Sequence, residues 1–124
     1  MSRFKYLLLF TMISFTFAMG VACDENEDGD EELPAVDCET VEVPRYSEMA
    51  EVWNNCVGCH SSMFSGSARQ DAPAEFDYDS YEAALFDPVE TVEVVLEGEM
   101  PPTGELSAEA KEMLNVWAQC GTPE

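Results

Sequence analysis

Basic side chains are scarce in this chain. Of its 124 residues only 5 are Lys or Arg, against 26 Asp and Glu, and the formal charge is −21. Nucleic acid and anionic membrane surfaces are therefore excluded as main partners, because both are held by a basic face. An apolar run of membrane-spanning length is also missing: the stretch Tyr6–Met19 has 14 residues, where a spanning helix needs about 20. There is no internal repeat. What is present is a hydrophobic fraction of 46%, too high for a wholly disordered chain, in a length that allows one small domain. Five cysteines and a single histidine remain to be accounted for.

The apolar run follows Arg3 and Lys5 and precedes the small residues Gly20-Val21-Ala22. Basic n-region, apolar h-region and small residues make an export signal. Cys23 stands directly after this segment, and the arrangement resembles the bacterial lipoprotein signal. That resemblance implies removal of residues 1–22, diacylation of Cys23 and anchoring on the periplasmic side of a membrane. The position three before the cysteine, usually Leu in that pattern, is Gly20 here. Cleavage after Gly20 would instead release a soluble periplasmic protein, and an uncleaved segment would remain as an anchor. In each case the other cysteines meet an oxidising compartment, where disulfides and covalent cofactor attachment both occur.

Residues 23–39 read as an acidic disordered tether. Asp24–Asp37 holds eight carboxylates in fourteen residues, so it repels itself and buries little. Extended at about 3 Å per residue it reaches roughly 40 Å, enough to hold a domain clear of a lipid surface. Loss of residues 1–22 removes two basic side chains and no acidic ones, which takes the charge to −23. The globular part spans 40–124. A body of that size is marginal on its core alone and leans on disulfides, metals or a cofactor.

Its periodicity is helical. Met49, Val52, Trp53 and Cys56 repeat at i, i+3, i+4, i+7 after Ser47. Asp87-Pro88-Val89-Glu90 is a helix start with an Asp cap and Pro in the first turn; the helix carries Val89, Val92, Val95 and Leu96 on one side and stops at Gly98. Ser107 caps a last helix whose stripe is Ala110, Met113, Leu114 and Trp117. A short helix is expected around Ser80–Leu85. Between His60 and Asp79 no period is sustained, so a long loop is expected, and a loop that long in a small domain needs something to wrap around. The fold class is all-α.

Cys56-Val57-Gly58-Cys59-His60 carries the chemistry. Cys-x-x-Cys-His in an exported chain reads as covalent haem attachment. Two thiols at this spacing can add to the two vinyl groups of one haem and deliver the adjacent imidazole to the iron. A redox dithiol needs a βαβ context that the chain does not predict. A zinc site needs four ligands, which Cys38 and Cys120 would have to complete. Met100, in Gly98-Glu99-Met100-Pro101-Pro102, offers a soft thioether on a loop stiffened by two prolines. Met49 and Met113 lie on helix stripes, and Met63 sits too close behind His60 to reach the other haem face.

With these residues in place the chain resembles a small single-haem class I cytochrome c over roughly residues 46–121. The resemblance implies three to five short helices wrapped around one covalently bound haem c. It implies thioethers from Cys56 and Cys59, His60 as proximal ligand and Met100 as distal ligand. Trp53 and Trp117 would lie where the terminal helices cross, and the Pro73 carbonyl would hold the second nitrogen of the haem histidine. Arg69, in the wrapping loop, is placed to pair with a haem propionate; its alternative is a solvated surface side chain. Cys38 and Cys120 flank the domain, and packing of the terminal helices would bring them together as a disulfide. Two free thiols or an intermolecular bond are the alternatives. The expected function is one-electron transfer by a monomer that is not itself an enzyme, with a redox partner bearing a basic patch. A haem-based ligand-binding or sensing module and a haem-free zinc- or disulfide-stapled structural lipoprotein are the competing readings.

Overall fold

The computed structural model of the protein describes residues 32–124; the segment expected to be an export signal, Cys23 and most of the expected tether lie outside the described residues. Among the described residues there are four α-helices and no strand: α1 Ala50–Cys56, α2 Tyr81–Ala84, α3 Pro88–Leu96 and α4 Ala108–Gln119. Two 3₁₀ turns, Tyr46–Glu48 and Gly66–Arg69, complete the regular structure. None of these helices is long and apolar enough to cross a membrane.

The helix ends follow the local chemistry of the sequence. Ser80, Asp87 and Ser107 each accept from the backbone N–H three residues on, at 3.2, 3.0 and 3.1 Å, so each satisfies one orphan donor of a first turn. At the other end of α3, Gly98 takes φ +79°. The Gly98 N–H then reaches Val95 O at 3.3 Å and the Glu99 N–H reaches Val94 O at 3.0 Å, the two bonds of a Schellman motif.

The core forms where α4 packs against α1 and α3. Met49, Val52, Leu114 and Trp117 are fully buried, and Trp53 meets Trp117 edge to face with ring centroids 5.3 Å apart. Both indole N–H groups are satisfied, Trp53 by Tyr46 O at 3.0 Å and Trp117 by Pro123 O at 2.9 Å. Cys38 and Cys120 form a disulfide that ties the N-terminal segment to the end of α4, with Cα atoms 5.4 Å apart.

Two expectations change. On α3 the buried face runs through Thr91, Val92 and Val95, while Val89 is 45% exposed. The helix is turned so that the Thr91 hydroxyl meets Tyr78 Oη at 2.9 Å, which carries Val89 out to solvent. The boundary between tether and domain also moves. Leu33 packs on the core cluster, and the Pro34 carbonyl accepts from Asn115 Nδ2 at 3.0 Å and Gln119 Nε2 at 2.9 Å. Residues 32–39 therefore lie on the body that was expected to begin at residue 40.

Candidate functional site

α1 ends at Cys56, and the chain turns at once. The Cys59 and His60 N–H groups both donate to Cys56 O, at 3.1 and 3.0 Å. This tight turn brings Cys56, Cys59 and His60 to the edge of one cavity of about 530 Å³. The same cavity is lined by Val94 and Val95 of α3 and by Met100, Pro101 and Pro102 just beyond it. Met100 is placed by the end of α3: its N–H donates to Val94 O at 3.0 Å, the carbonyl already used by the Schellman motif. The structure thus brings together Cys56, Cys59, His60 and Met100, which come from two distant segments of the sequence.

The thiol of Cys56 is half-buried, and burial pushes its pKa up to about 12. A redox dithiol or a nucleophilic cysteine needs the opposite, a lowered pKa and a standing thiolate. Tyr78 lies across the cavity floor, with its ring centroid 5.3 Å from that of His60 and 5.6 Å from that of Trp53. Burial raises the Tyr78 hydroxyl to about 12 against the lowering effect of its bond to Thr91. The Tyr78 hydroxyl therefore stays neutral, and because the Thr91 hydroxyl donates to Asp87 O at 2.7 Å, Tyr78 donates to Thr91 Oγ1. Phe76, Pro73 and Ala72 close the loop side, and Gln70 and Asp71 enter it with positive φ of 50° and 67°.

Two expectations about the loop are corrected. His60 Nδ1 lies 2.7 Å from the carbonyl of Phe76, not of Pro73. The Pro73 carbonyl accepts instead from Arg69 Nη2 at 2.7 Å. Arg69, expected to pair with a propionate, is not among the residues that line the cavity. It is buried, pairs with Asp77 at 2.7 Å, and also donates to Ser61 O at 2.7 Å and Ala72 O at 3.1 Å. The loop 61–79 folds around this guanidinium. A buried arginine needs a carboxylate, so the lone basic residue of an aperiodic loop with Asp77 eight residues on was the signal for this pair.

Sequence reasoning did not single out Phe76, Asp77, Tyr78, Asp79 or Thr91. Asp79 Oδ2 accepts from Ser61 Oγ at 2.8 Å, Ser62 N at 3.0 Å and Ser62 Oγ at 2.8 Å. The Ser61 hydroxyl is the largest influence on the Asp79 carboxyl and lowers its pKa; burial opposes it, and the Ser62 hydroxyl and N–H add smaller lowering effects that leave the carboxyl below its ordinary value. The disulfide removes Cys38 and Cys120 from any metal site, and among the described residues no three His, Cys, Asp or Glu side chains are grouped to hold a metal ion. Comparison with protein-family models, with curated proteins and with solved structures returned no match.

Proposed function

We propose that this chain is a small c-type cytochrome that carries one electron. Cys56 and Cys59 would hold one haem c through thioethers, His60 would be its proximal ligand and Met100 its distal ligand. The observation that carries this reading is the shared cavity: two thiols, the single imidazole and a thioether line one space. Its volume of about 530 Å³ falls within the roughly 300–1,000 Å³ of cofactor sites, and its walls are mostly apolar. The donor set fits the group, since thioether and imidazole are both standard haem-iron ligands. The crossing of α1 and α4 at Trp53 and Trp117 supports reading the helical body as a cytochrome c fold.

Bound there, the haem would supply a one-electron ferric–ferrous couple. The residues of the chain position and insulate it. The Phe76 carbonyl orients the imidazole, Met100 offers a soft ligand that favours the reduced state, and Tyr78, Val94 and Val95 exclude water. No side chain is assigned acid–base work, so the protein is a carrier and not an enzyme by itself.

The surface supports a basic partner. Of the 26 carboxylates, 20 lie in residues 32–124. The three basic side chains there are all engaged: Arg69 with Asp77, Lys111 with Glu105 at 2.7 Å, and Arg45 with the Glu124 carbonyl at 3.4 Å. The acidic character thus belongs to the domain and is not confined to the tether. We place the protein on the periplasmic side of a bacterial membrane, held by a lipid on Cys23.

The deciding experiment is a covalent-haem stain of the denatured protein after expression with a haem-attachment system. Staining that disappears in Cys56→Ser/Cys59→Ser supports the reading; an unstained wild type overturns it. Met100→Ala should abolish the methionine–ferric near-infrared band. An unchanged resting spectrum in that variant would favour a ligand-binding or sensing module instead.

A further inference from the structure

We propose that Arg69 is a positioning residue for His60, acting with Asp77 as a clamp on both sides of the imidazole–carbonyl pair; this rests on the haem reading above. The segments 60–62 and 76–79 run alongside each other. The Tyr78 N–H donates to His60 O at 3.1 Å, and His60 Nδ1 meets Phe76 O at 2.7 Å. Arg69 reaches the next residue of each segment: Nη1 donates to Ser61 O at 2.7 Å, and Nη2 to Asp77 Oδ1 at 2.7 Å. One rigid planar group thus spans the residue after the histidine and the residue after the carbonyl that holds it. Its two remaining bonds, to Ala72 O and Pro73 O, pin the turn that joins the segments.

The pair is costly as a source of stability. Its side chains are only 10% and 12% exposed, and the desolvation of two buried charges commonly cancels their attraction. What the guanidinium supplies that apolar packing cannot is direction, because its donors lie in one plane at fixed angles. Direction is what a ligating imidazole needs. The bond on its second nitrogen sets the ring orientation and raises its basicity, and with it the electron density at the metal. Without the clamp, the Tyr78 N–H to His60 O bond and the Asp79 bonds to Ser61 and Ser62 still join the two segments, but no side chain ties the residue after Phe76 to the residue after His60.

The test uses the purified full-length haem-loaded protein with ring-¹⁵N histidine, reduced. His60 is the sole histidine, so its Nδ1–H signal is unambiguous. Asp77→Asn keeps the side-chain size and removes the charge; Arg69→Lys keeps the charge and removes the fork. In variants that retain wild-type helical circular dichroism, exchange of the Nδ1 proton should speed up by about tenfold or more, and the reduction potential should rise. Ser107→Ala, which removes the α4 cap and a bond to Glu51 but no bond to residues 60–79, should leave both unchanged. Exchange within about twofold of wild type in Asp77→Asn and Arg69→Lys, or equal acceleration in Ser107→Ala, overturns the clamp. If neither loop variant folds, native-state exchange in the wild type decides. The Arg69 Nε–H and His60 Nδ1–H must then open together, and earlier opening of the histidine overturns the proposal. The haem stain on the same samples separates failure of this inference from failure of the haem reading.

Discussion

Met100 hangs from Val94: its backbone N–H donates to the Val94 carbonyl at 3.0 Å, so the end of α3 decides where the thioether sits. The turn that makes this bond depends on Gly98 at φ +79°. A side chain there finds open space, with only Glu105 Oε1 at 3.9 Å, so any cost comes from the left-handed backbone. Gly98→Ala should lower stability by about 1–2 kcal/mol, read from the denaturant midpoint, and weaken the near-infrared band of the haem-loaded protein. An unchanged midpoint would show that the left-handed conformation at Gly98 costs alanine nothing, and an unchanged band alongside a lowered midpoint would show that the Schellman turn is not needed to place Met100.

The Cys38–Cys120 disulfide closes a loop with a sequence separation of 82. In the chain-entropy model a loop that long contributes about 4–5 kcal/mol. Cys38→Ser/Cys120→Ser should therefore lower the denaturation midpoint sharply, with each single variant about as unstable as the double. The check is chemical denaturation followed by tryptophan fluorescence. A double variant as stable as wild type would mean that Leu33 and Pro34 hold the N-terminal segment without help.

Trp117 fills the centre of the core and makes the bond to Pro123 O. Trp117→Ala should cost about 3–5 kcal/mol by leaving a cavity. Trp117→Phe should cost much less, because Pro123 O still accepts from Tyr46 N at 2.9 Å. Thermal melts of the two variants side by side test this order, and equal losses would contradict it.

Asp79 makes acid stability specific. Its folded-state pKa lies below the ordinary value because the charged form accepts from Ser61 and Ser62. Its contribution is thus complete above the unfolded carboxylate pKa near 4 and is lost as pH falls through the lower folded value. Asp79→Asn should be less stable than wild type at neutral pH, and the difference should shrink as pH drops below about 4. A difference that stays constant from pH 7 to acid would show that the serine bonds do not depend on charge.

The helices were legible because their signals are local. Asp87-Pro88, Ser80 and Ser107 cap first turns within three residues, and the stripes through Trp53 and Trp117 repeat within seven. Gly98 marked a stop for the same reason. Val89 misled, since the periodicity of α3 fits two neighbouring faces, and only the bond from Thr91 to Tyr78 selects between them. Pro73 and Arg69 misled for a deeper reason. In an aperiodic loop no spacing tells which carbonyl will face His60 or where a guanidinium will point.

By itself the sequence determined the all-α class, the caps and most of the core stripes, and which thiols, imidazole and thioether are candidates for one site. All of these depend on residue type and short spacing. The tertiary structure alone decided that Cys56, Cys59, His60 and Met100 share one cavity, that Cys38 meets Cys120, that Pro34 rests on α4, and that Phe76 rather than Pro73 faces the imidazole. Those pairings join residues far apart in the chain or within an aperiodic loop. Helix packing and one buried Arg69–Asp77 pair set them, and neither leaves a periodic mark in the sequence.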